Sequence, residues 1–253
     1  MLGRDVVRVA GEDALALSRA DLDVTDAAAV QERLAGADLV INCAAWTDVD
    51  GAEEHEDETL RVNRDGARNV AQAARRVIYV STDYVFDGSK EGSYLESDEP
   101  RPLSAYGRSK LEGERATAEA NPRHFIARSS WLFGAGGRNF VDTMLGLGPD
   151  VRVVRDQVGS PTFTGHLAEA LVELAATEDY GVHHLAAAGS CSWYEFAREI
   201  FRRAGVEARV EPVSTAEFPR PASRPANSVL ESERGRRLPP WQEGLEAYLG
   251  VRV

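Results

Sequence analysis

The sequence is poor in three features, and each scarcity argues against a class of protein. Its only two cysteines, Cys43 and Cys191, lie far apart and in no Cys-x-x-Cys or Cys/His spacing, which argues against a disulfide framework or a zinc site. Apolar runs such as residues 39–46 are too short for a membrane span or a secretory signal. Basic residues number 29 against 41 acidic ones, so the net charge is −12 and nucleic acid is disfavoured as a partner. We expect a cytoplasmic protein with neither a nucleic-acid nor a membrane partner.

What the sequence does contain is an alternation of apolar runs with helical patterns. The apolar runs, which we interpret as strands, are residues 14–18, 38–45, 77–82 and 124–134. The helical patterns cover residues 26–34, 53–75 and 104–120, and another opens the chain at Leu2. The strands are continuous apolar runs, as expected when both faces of a sheet are covered. This order predicts an α/β fold with a doubly wound, Rossmann-type parallel sheet that binds ligands at the carboxyl ends of its strands.

After about residue 140 the pattern changes to shorter and less regular elements. A short strand with a Gly/Pro turn at 151–162, a helix at 165–176, a strand at 181–187 and a helix at 192–204 precede an irregular Pro/Arg-rich tract at 218–230. We interpret the aromatic stripe of the last helix, Trp193, Phe196 and Phe201, as core packing. We expect a dinucleotide-binding domain at residues 1–140. A smaller substrate lobe should occupy residues 141–253, with some segments returning to the sheet.

Three polar residues are placed to meet at the carboxyl edge of this sheet. Thr82 ends the apolar run 77–82, while Tyr106 and Lys110 are four residues apart and share one helix face. Tyr-x-x-x-Lys occurs by chance in many helices, so the pair indicates chemistry only together with Thr82. A ketone reduction needs these types, because a phenol donates its proton well only where a cation stabilises the phenolate. A hydroxyl can then hydrogen-bond the developing alkoxide.

The chain resembles the dTDP-4-dehydrorhamnose reductase family of the extended short-chain dehydrogenase/reductases. The resemblance runs from Leu2 to about Trp241 and rests on motifs that occur in the family's order. They include SRADLDVTD, NCAAWTDVDGAE, STDYVFDG, YGRSK, RSSWLFG, DQVGSPT and RPANSVL. It implies an NADPH-dependent oxidoreductase acting on a dTDP-4-dehydro-6-deoxy sugar. Thr82, Tyr106 and Lys110 would be the catalytic residues, and Lys110 would also hold the nicotinamide ribose.

The resemblance also implies residues that bind the cofactor. Cys43, Ala44 and Ala45 match the segment that lies along it, and Asp23 and Val24 match the contact on the adenine side. A separate pair, Ser18 and Arg19, lies at the end of the expected strand at residues 14–18, where an acidic residue often selects NAD. An arginine there suits a 2′-phosphate, which favours NADPH and leaves NADH open.

A further set of residues matches the family's substrate contacts. These residues are Thr82, Asp83, Trp131, Asn139, Gln157, Arg224 and Asn227. Trp131 would line the sugar pocket, and Arg224 could pair with the pyrophosphate as a planar fork. We assign no metal ligands and leave both a metal requirement and a homodimer open.

The sequence departs from the family at its phosphate-binding loop. Gly-x-x-Gly-x-x-Gly normally follows the first strand, and only Gly3, which matches the last glycine, is present. No strand pattern precedes the first helix, and some connections between elements are very short. We therefore expect the natural chain to carry a strand and a glycine-rich turn before this helix.

Three other functions share parts of these motifs. A dihydrostreptose-type synthase or another nucleotide-sugar ketoreductase would use the same motifs. A regulatory subunit of this fold tends to lose the tyrosine or the lysine, and both are present here. The third alternative is an epimerase or dehydratase of the same superfamily. A dehydratase usually adds an acidic pair beside the strand-end threonine, whereas Asp83 is followed by Tyr84. The most favoured product is dTDP-L-rhamnose.

Overall fold

The structure, a computed structural model, describes residues 1–251. Short single-turn elements lie between its regular ones, most notably a π-helical turn at Arg61–Asp65. The α-helices of the described residues are α1 (Leu2–Ala10), α2 (Ala27–Leu34), α3 (Glu56–Leu60), α4 (Gly66–Ala73), α5 (Ala105–Ala120), α6 (Phe140–Leu147), α7 (Thr164–Ala175), α8 (Trp193–Arg203) and α9 (Trp241–Val251).

The strands are short, and most of them lie in the second half of the chain. They are β1 (Val40–Asn42), β2 (Val77–Thr82), β3 (His124–Ser129), β4 (Leu132–Phe133), β5 (Asp150–Val154), β6 (Val158–Gly159), β7 (Thr162–Phe163), β8 (Gly181–His184), β9 (Ala187–Ala188), β10 (Cys191–Ser192), β11 (Arg209–Val213) and β12 (Leu238–Pro240).

The main sheet is parallel and has the strand order β1-β2-β3-β8. Strands β2 and β3 pair along their full length, from Val77 opposite His124 to Thr82 opposite Ser129. Since parallel strands bring their carboxyl ends to one edge, this register places Thr82 at the edge where such folds bind ligands. The prediction of an α/β fold with a parallel sheet is confirmed.

Helices cover both faces of this sheet, which explains the continuous apolar strands. On one face, α1 and α7 pack against Ile78, Phe125 and Ala127. On the other face, α2 and α4 pack against Val77, and Ala67 of α4 packs against Tyr79 and Ile126. Thus alternate residues of one strand serve two separate cores.

Two predictions about the sheet were wrong in part. Residues 14–18 form no strand, because an extended segment needs a hydrogen-bonded neighbour and none of the described strands pairs with it. Only Leu17 packs against the α2 core, while Leu15 is 68% exposed. The expected strand at 124–134 is broken, since β4 leaves the main sheet to pair with β7. The break lies at Trp131, whose φ is 47°.

The helix predictions agree with the structure, except that the one at 53–75 contains the π-helical turn. Side-chain caps explain several boundaries. Asp26 accepts hydrogen bonds from the backbone of Ala28 and Ala29 at the start of α2. Ser192 and Glu195 form a reciprocal capping box at the start of α8.

The second half of the chain builds a separate core and returns to the sheet. Helices α6, α8 and α9 and the parallel pair β5–β11 enclose this core, to which Phe196 and Phe201 of the aromatic stripe belong as predicted. The third member of the stripe, Trp193, is only half-buried. Strand β8 pairs with β3 in the main sheet. Residues 218–230 form no helix and only isolated bridges, in agreement with the irregular tract expected there.

None of the helices among residues 1–251 is long and apolar enough to span a membrane.

Candidate active site

The start of α5 is held close to the carboxyl edge of the sheet. The Ser104 hydroxyl caps the helix by accepting the Gly107 N–H at 3.1 Å, and the Glu53 carboxylate accepts the Ala105 N–H at 2.8 Å. A Cβ at position 107 would lie 2.3 Å from the Tyr84 carbonyl oxygen, so only glycine allows this approach. The helix start is therefore fixed both to the sheet edge and to the loop that follows β1.

Thr82 and Tyr106 meet at this edge. The Thr82 hydroxyl donates to Asp83 Oδ1 at 3.0 Å and accepts the Tyr84 N–H at 3.2 Å. Burial raises the pKa of Tyr106 to about 12, a rise that a hydrogen bond with Thr82 opposes and the Asp83 carboxylate increases. The Tyr84 ring lies edge-on to Tyr106, with ring centroids 6.1 Å apart. Tyr106 is therefore protonated at neutral pH, as a proton donor must be.

Lys110 lies one turn further along α5 and is almost fully buried. Its Nζ donates to the Val80 carbonyl oxygen at 2.6 Å and sits 4.0 Å from the centre of the Tyr79 ring. Burial lowers the pKa of Lys110 to about 7, against the nearby Glu114 carboxylate and the Cys43 sulfur, which raise it. The ammonium is thus near its titration point at neutral pH, where small changes in its surroundings alter its charge.

Asp83 follows Thr82 and is buried beside it. Burial raises the pKa of its carboxyl group to about 7, while hydrogen bonds with Ser228 and Thr82 oppose the rise. Its Oδ1 faces Thr82, whereas Oδ2 is buried without a hydrogen bond of good geometry. A half-titrated carboxyl group at this position can either accept or donate a hydrogen bond.

The residues expected along a cofactor lie around the end of β1. A Cβ built on Gly3 of α1 would lie 3.8 Å from Cys43 Cβ, so the helix start and the strand end are in contact. Ala44 is exposed and Ala45 half-buried. Burial raises the pKa of Cys43 to about 11, although Lys110 lowers it, so the two side chains are close. Gly3, Cys43 and Lys110 are thus brought together.

The residues expected near the adenosine end of the cofactor lie on an exposed turn. Ser18 Oγ donates to Asp21 Oδ2 at 2.6 Å, and Arg19 is exposed beside it. Asp23 accepts from both the N–H and the hydroxyl of Thr25, which holds its pKa below the usual value. Val24 is half-buried, and its carbonyl accepts a hydrogen bond from Asn69. Arg19 is accessible to an anionic group.

Trp131 projects from the break between β3 and β4 and stacks on Trp193. The ring centroids are 3.4 Å apart and the planes differ by 3°. A Cβ at Gly159 would lie 2.5 Å from Trp131 Cε2, so this glycine makes room for the indole. A positive φ in a bulky residue is strained backbone, which tends to occur at functional sites.

Three of the expected substrate contacts use their side chains inside the protein. Asn139 caps α6 and donates to the Gly134 carbonyl at 3.0 Å. Gln157 donates to the Thr215 hydroxyl at 3.0 Å. Asn227 Nδ2 donates to the carbonyl oxygens of Lys90 and Gly92 at 2.9 and 2.6 Å. In this structure their side chains stabilise loops around the site.

Arg224, the fourth, is held in a bidentate pair. Its two terminal nitrogens lie 3.0 Å from the two Asp50 oxygens, and the nearby Tyr84 phenol, like Asp50, favours the charged form of the guanidinium. The pair joins the Pro/Arg-rich tract to the loop after β1, next to Tyr106. Sequence reasoning assigned no role to Asp50, Glu53 or Tyr84, although all three lie in quoted motifs.

Asn63 is another residue that sequence reasoning left without a role. It is fully buried in the π-helical turn, where Oδ1 accepts the Trp46 N–H at 2.8 Å and Nδ2 donates to Ser109 Oγ at 2.9 Å. Its carbonyl accepts the Tyr79 hydroxyl at 3.0 Å. A Cβ at Gly113 would lie 2.2 Å from that carbonyl oxygen. Asn63 thus ties the cofactor-side loop to α5.

The residues that could hold a metal are few. No group of three or more His, Cys, Asp or Glu side chains suited to a metal ion occurs among the described residues.

Comparison with known proteins identifies the family to which the chain belongs. The family model described as RmlD substrate binding domain matches residues 1–252. A dTDP-4-dehydrorhamnose reductase of Sinorhizobium fredii is 41% identical over 254 residues, covering 90% of this chain and 86% of the relative. A crystal structure of a dTDP-4-dehydrorhamnose reductase from Clostridium acetobutylicum has a TM-score of 0.95 at 40% identity, covering 99% and 95% of the two chains. The Bacillus anthracis enzyme, solved in complex with NADP, has a TM-score of 0.95 at 38% identity, covering 100% and 95%.

Proposed function

Because the chain belongs to the dTDP-4-dehydrorhamnose reductase family, we propose that it reduces dTDP-4-dehydro-L-rhamnose to dTDP-L-rhamnose with NADPH. The observation that carries this proposal is the convergence of Thr82, Tyr106 and Lys110 at the carboxyl edge of the sheet. A non-catalytic subunit would not need a buried lysine near its titration point one helix turn from a protonated phenol.

The described residues fit a nicotinamide cofactor. Gly3 lies in the first turn of α1, and the backbone N–H groups of a helix start favour an anionic group. Gly3 and Cys43 are small and adjacent, which allows close approach of a flat ring system. We assign Lys110 to the ribose, Asp23 and Val24 to the adenine side, and Ser18 and Arg19 to a 2′-phosphate. NADPH, when bound, supplies the hydride that reaches the carbonyl carbon.

The chain's own residues handle the proton and the charge. Tyr106 donates its phenolic proton to the sugar oxygen as that oxygen becomes an alkoxide. Thr82 hydrogen-bonds the same oxygen once its hydroxyl, which donates to Asp83 Oδ1, rotates towards the substrate. The Lys110 ammonium lowers the cost of forming the Tyr106 phenolate. Each of these interactions with the substrate is stronger in the transition state than in the ground state, and this difference raises the rate.

The walls of the pocket select the sugar nucleotide. We assign Trp131, which is half-buried and stacked on Trp193, to the apolar side of the deoxy sugar. Arg224 would exchange the Asp50 carboxylate for the pyrophosphate, which offers the same bidentate geometry. Asp83, Asn139, Gln157 and Asn227 remain proposed contacts or supports at the rim.

The test is NADPH oxidation followed by absorbance with a panel of dTDP-4-dehydro-6-deoxy sugars. We expect the fastest turnover with dTDP-4-dehydro-L-rhamnose and a product two hydrogens heavier by mass spectrometry. Faster turnover of another sugar in the panel would assign the chain to a different ketoreductase. NADPH binding without turnover of any sugar would favour the regulatory reading and contradict the proposal.

A further inference from the structure

A buried charged cluster lies one turn beyond Lys110 and takes no part in the steps above. Glu114 of α5 is paired with Arg128 of β3, with Nε–Oε1 and Nη2–Oε2 distances of 2.9 and 2.7 Å. Their side chains are only 6% and 4% exposed. The Ser81 hydroxyl of β2 donates to Glu114 Oε1 at 2.5 Å. One carboxylate therefore joins three elements of the fold.

Stability alone does not account for this cluster. Removing two charges from water costs several kcal/mol, and replacing a buried ion pair with apolar residues is often neutral or stabilising. The Phe86 ring lies 5.2 Å from the Arg128 guanidinium, so apolar side chains in place of Glu114 and Arg128 would have an apolar neighbour. Its position next to the proposed reacting groups suggests another role.

Ser81, the strand residue that hydrogen-bonds Glu114, lies between two residues of the site. Val80, immediately before Ser81, gives its carbonyl oxygen to Lys110 Nζ. Thr82, immediately after it, carries the hydroxyl next to Tyr106. On the helix side, Glu114 is four residues from Lys110 and therefore on the same face. Ser81 and Glu114 thus form a direct side-chain tie between the strand end and the catalytic helix.

We propose that Glu114 is a positioning residue for the reduction, which fixes the strand end carrying Thr82 against the helix carrying Tyr106 and holds the Lys110 ammonium in its charged form. The predicted changes in kcat rest on the proposed function. The predicted effect of Glu114 on the charge of Lys110 does not.

The groups around Lys110 define that electrostatic consequence. Glu114 faces it from the same helix, Cys43 from the end of β1, and the Tyr79 ring from β2. Arg128 reaches Glu114 from β3 and has the His184 ring nitrogen 3.5 Å from its far side. Burial lowers the pKa of Lys110, and Glu114 is the largest influence that raises it. Removing this carboxylate therefore moves the pKa of Lys110 further below 7.

The effect on rate has a defined sign. Activity requires charged Lys110, so it is lost as pH rises through the pKa of that group. A lower pKa in Glu114→Gln moves this loss to lower pH. A fall of one pKa unit leaves about tenfold less charged lysine at pH values above both pKa values.

The composition of the chain makes the charge of Lys110 directly measurable. Its only lysines are Lys90 and Lys110, so protein labelled with ¹³C-lysine gives two Cε resonances in an NMR titration. Lys90 is paired with Asp98 near the surface and serves as the internal reference. Glu112→Gln is the matched control, since it makes the same change on the exposed side of α5, where Glu112 pairs with Arg115.

We expect Lys110 to titrate near pH 7 in the parent and Glu112→Gln proteins, and at lower pH in Glu114→Gln. We expect kcat at pH 8, above both pKa values, to fall on the order of tenfold in Glu114→Gln with little change in KM. Ser81→Ala keeps the charge, so its Lys110 titration should match the parent while kcat falls several-fold. Should Glu114→Gln not fold, Glu114→Gln/Arg128→Gln removes the carboxylate without leaving Arg128 unpaired, and its reference is Arg128→Gln, which lacks the same cation.

The outcomes separate the two proposals. Identical Lys110 titrations in the parent and Glu114→Gln, or in Arg128→Gln and the double variant, would overturn the electrostatic role. A parent-like kcat in both Ser81→Ala and the Glu114 variant would overturn the positioning role. An inactive parent with the expected NMR shifts would instead contradict the proposed reductase function and leave the effect on Lys110 standing.

Discussion

Trp131 and Trp193 lie face to face with ring centroids 3.4 Å apart, and one of them has a left-handed backbone. Aromatic pairs usually prefer an offset or edge-on arrangement, so ring attraction alone does not produce this sandwich. Phe140, whose ring centroid is 4.5 Å from that of Trp193, supports the pair from the small lobe. Trp193 thus supports Trp131 on one face of its indole.

Trp193→Leu should raise KM for the sugar nucleotide several-fold and change kcat less. Trp131 loses the ring on which it stacks, while the reacting groups stay in place. Steady-state kinetics and the near-ultraviolet circular dichroism of the stacked indoles would measure the two effects. Tyr194→Leu, one residue further along α8, is the control. An unchanged KM after loss of the indole dichroism would show that Trp131 does not contact the sugar.

Tyr106→Phe should lower kcat on the order of a hundredfold, the range expected for loss of a general acid, with NADPH affinity and folding preserved. Tyr180→Phe is the control, since that ring packs on Phe125 with a centroid distance of 4.9 Å and is remote from α5. The measurement is single-turnover NADPH oxidation together with a thermal melt. Activity within a few-fold of the parent would remove Tyr106 from the mechanism.

Arg19→Ala should weaken NADPH far more than NADH, because only NADPH carries the 2′-phosphate that the guanidinium would meet. Dissociation constants for both cofactors, measured by fluorescence titration, test this directly. Arg33→Ala provides a second exposed arginine as control. Equal losses for the two cofactors would mean that Arg19 does not read the phosphate.

Asp83→Asn should change the pH dependence of stability. The folded pKa of Asp83, about 7, lies above the ordinary value of 3.8, so the stability it contributes is complete below pH 4 and lost as pH rises through 7. The free energy of unfolding of Asp83→Asn relative to the parent should therefore rise from pH 4 to pH 8. The difference between the folded pKa of about 7 and the ordinary value of 3.8 limits this change in the free energy of unfolding to about 4 kcal/mol.

Asp87→Asn is a control of opposite sign for that experiment. Hydrogen bonds from the Ser89 N–H and hydroxyl hold the pKa of Asp87 below its usual value, so its contribution is present above the unfolded pKa and lost as pH falls. Urea unfolding at several pH values would measure both variants. A flat difference for Asp83→Asn would show that its carboxyl group is not perturbed by burial.

The parts of the site that depend on local sequence were predictable. A capping serine, an i,i+4 pair and a strand-end threonine each follow from short-range rules, so Thr82, Tyr106 and Lys110 were placed correctly at the sheet edge. Strands β2 and β3 were equally clear, because both of their faces are covered and their apolar runs are continuous.

Contacts between distant segments were not predictable. The pairing of Arg224 with Asp50 spans 174 residues, and neither residue signals its partner. The left-handed backbone of Trp131 depends on Trp193 and Gly159, both remote in sequence. Residues 14–18 have strand composition, but a strand also needs a hydrogen-bonded neighbour, which composition does not reveal.

The two glycines on the inner side of α5 have a consequence for mutational tolerance. Gly107 and Gly113 face a carbonyl oxygen at distances that leave no space for a methyl group. A complete substitution scan of α5 should therefore find these positions as intolerant as Tyr106 and Lys110, although they carry no reacting group. The outer positions, such as Arg115, should accept most residues. The requirement for glycine at positions 107 and 113 would then reflect how closely the helix packs on neighbouring backbone. A residue that tolerates no substitution in α5 is therefore not necessarily a catalytic residue.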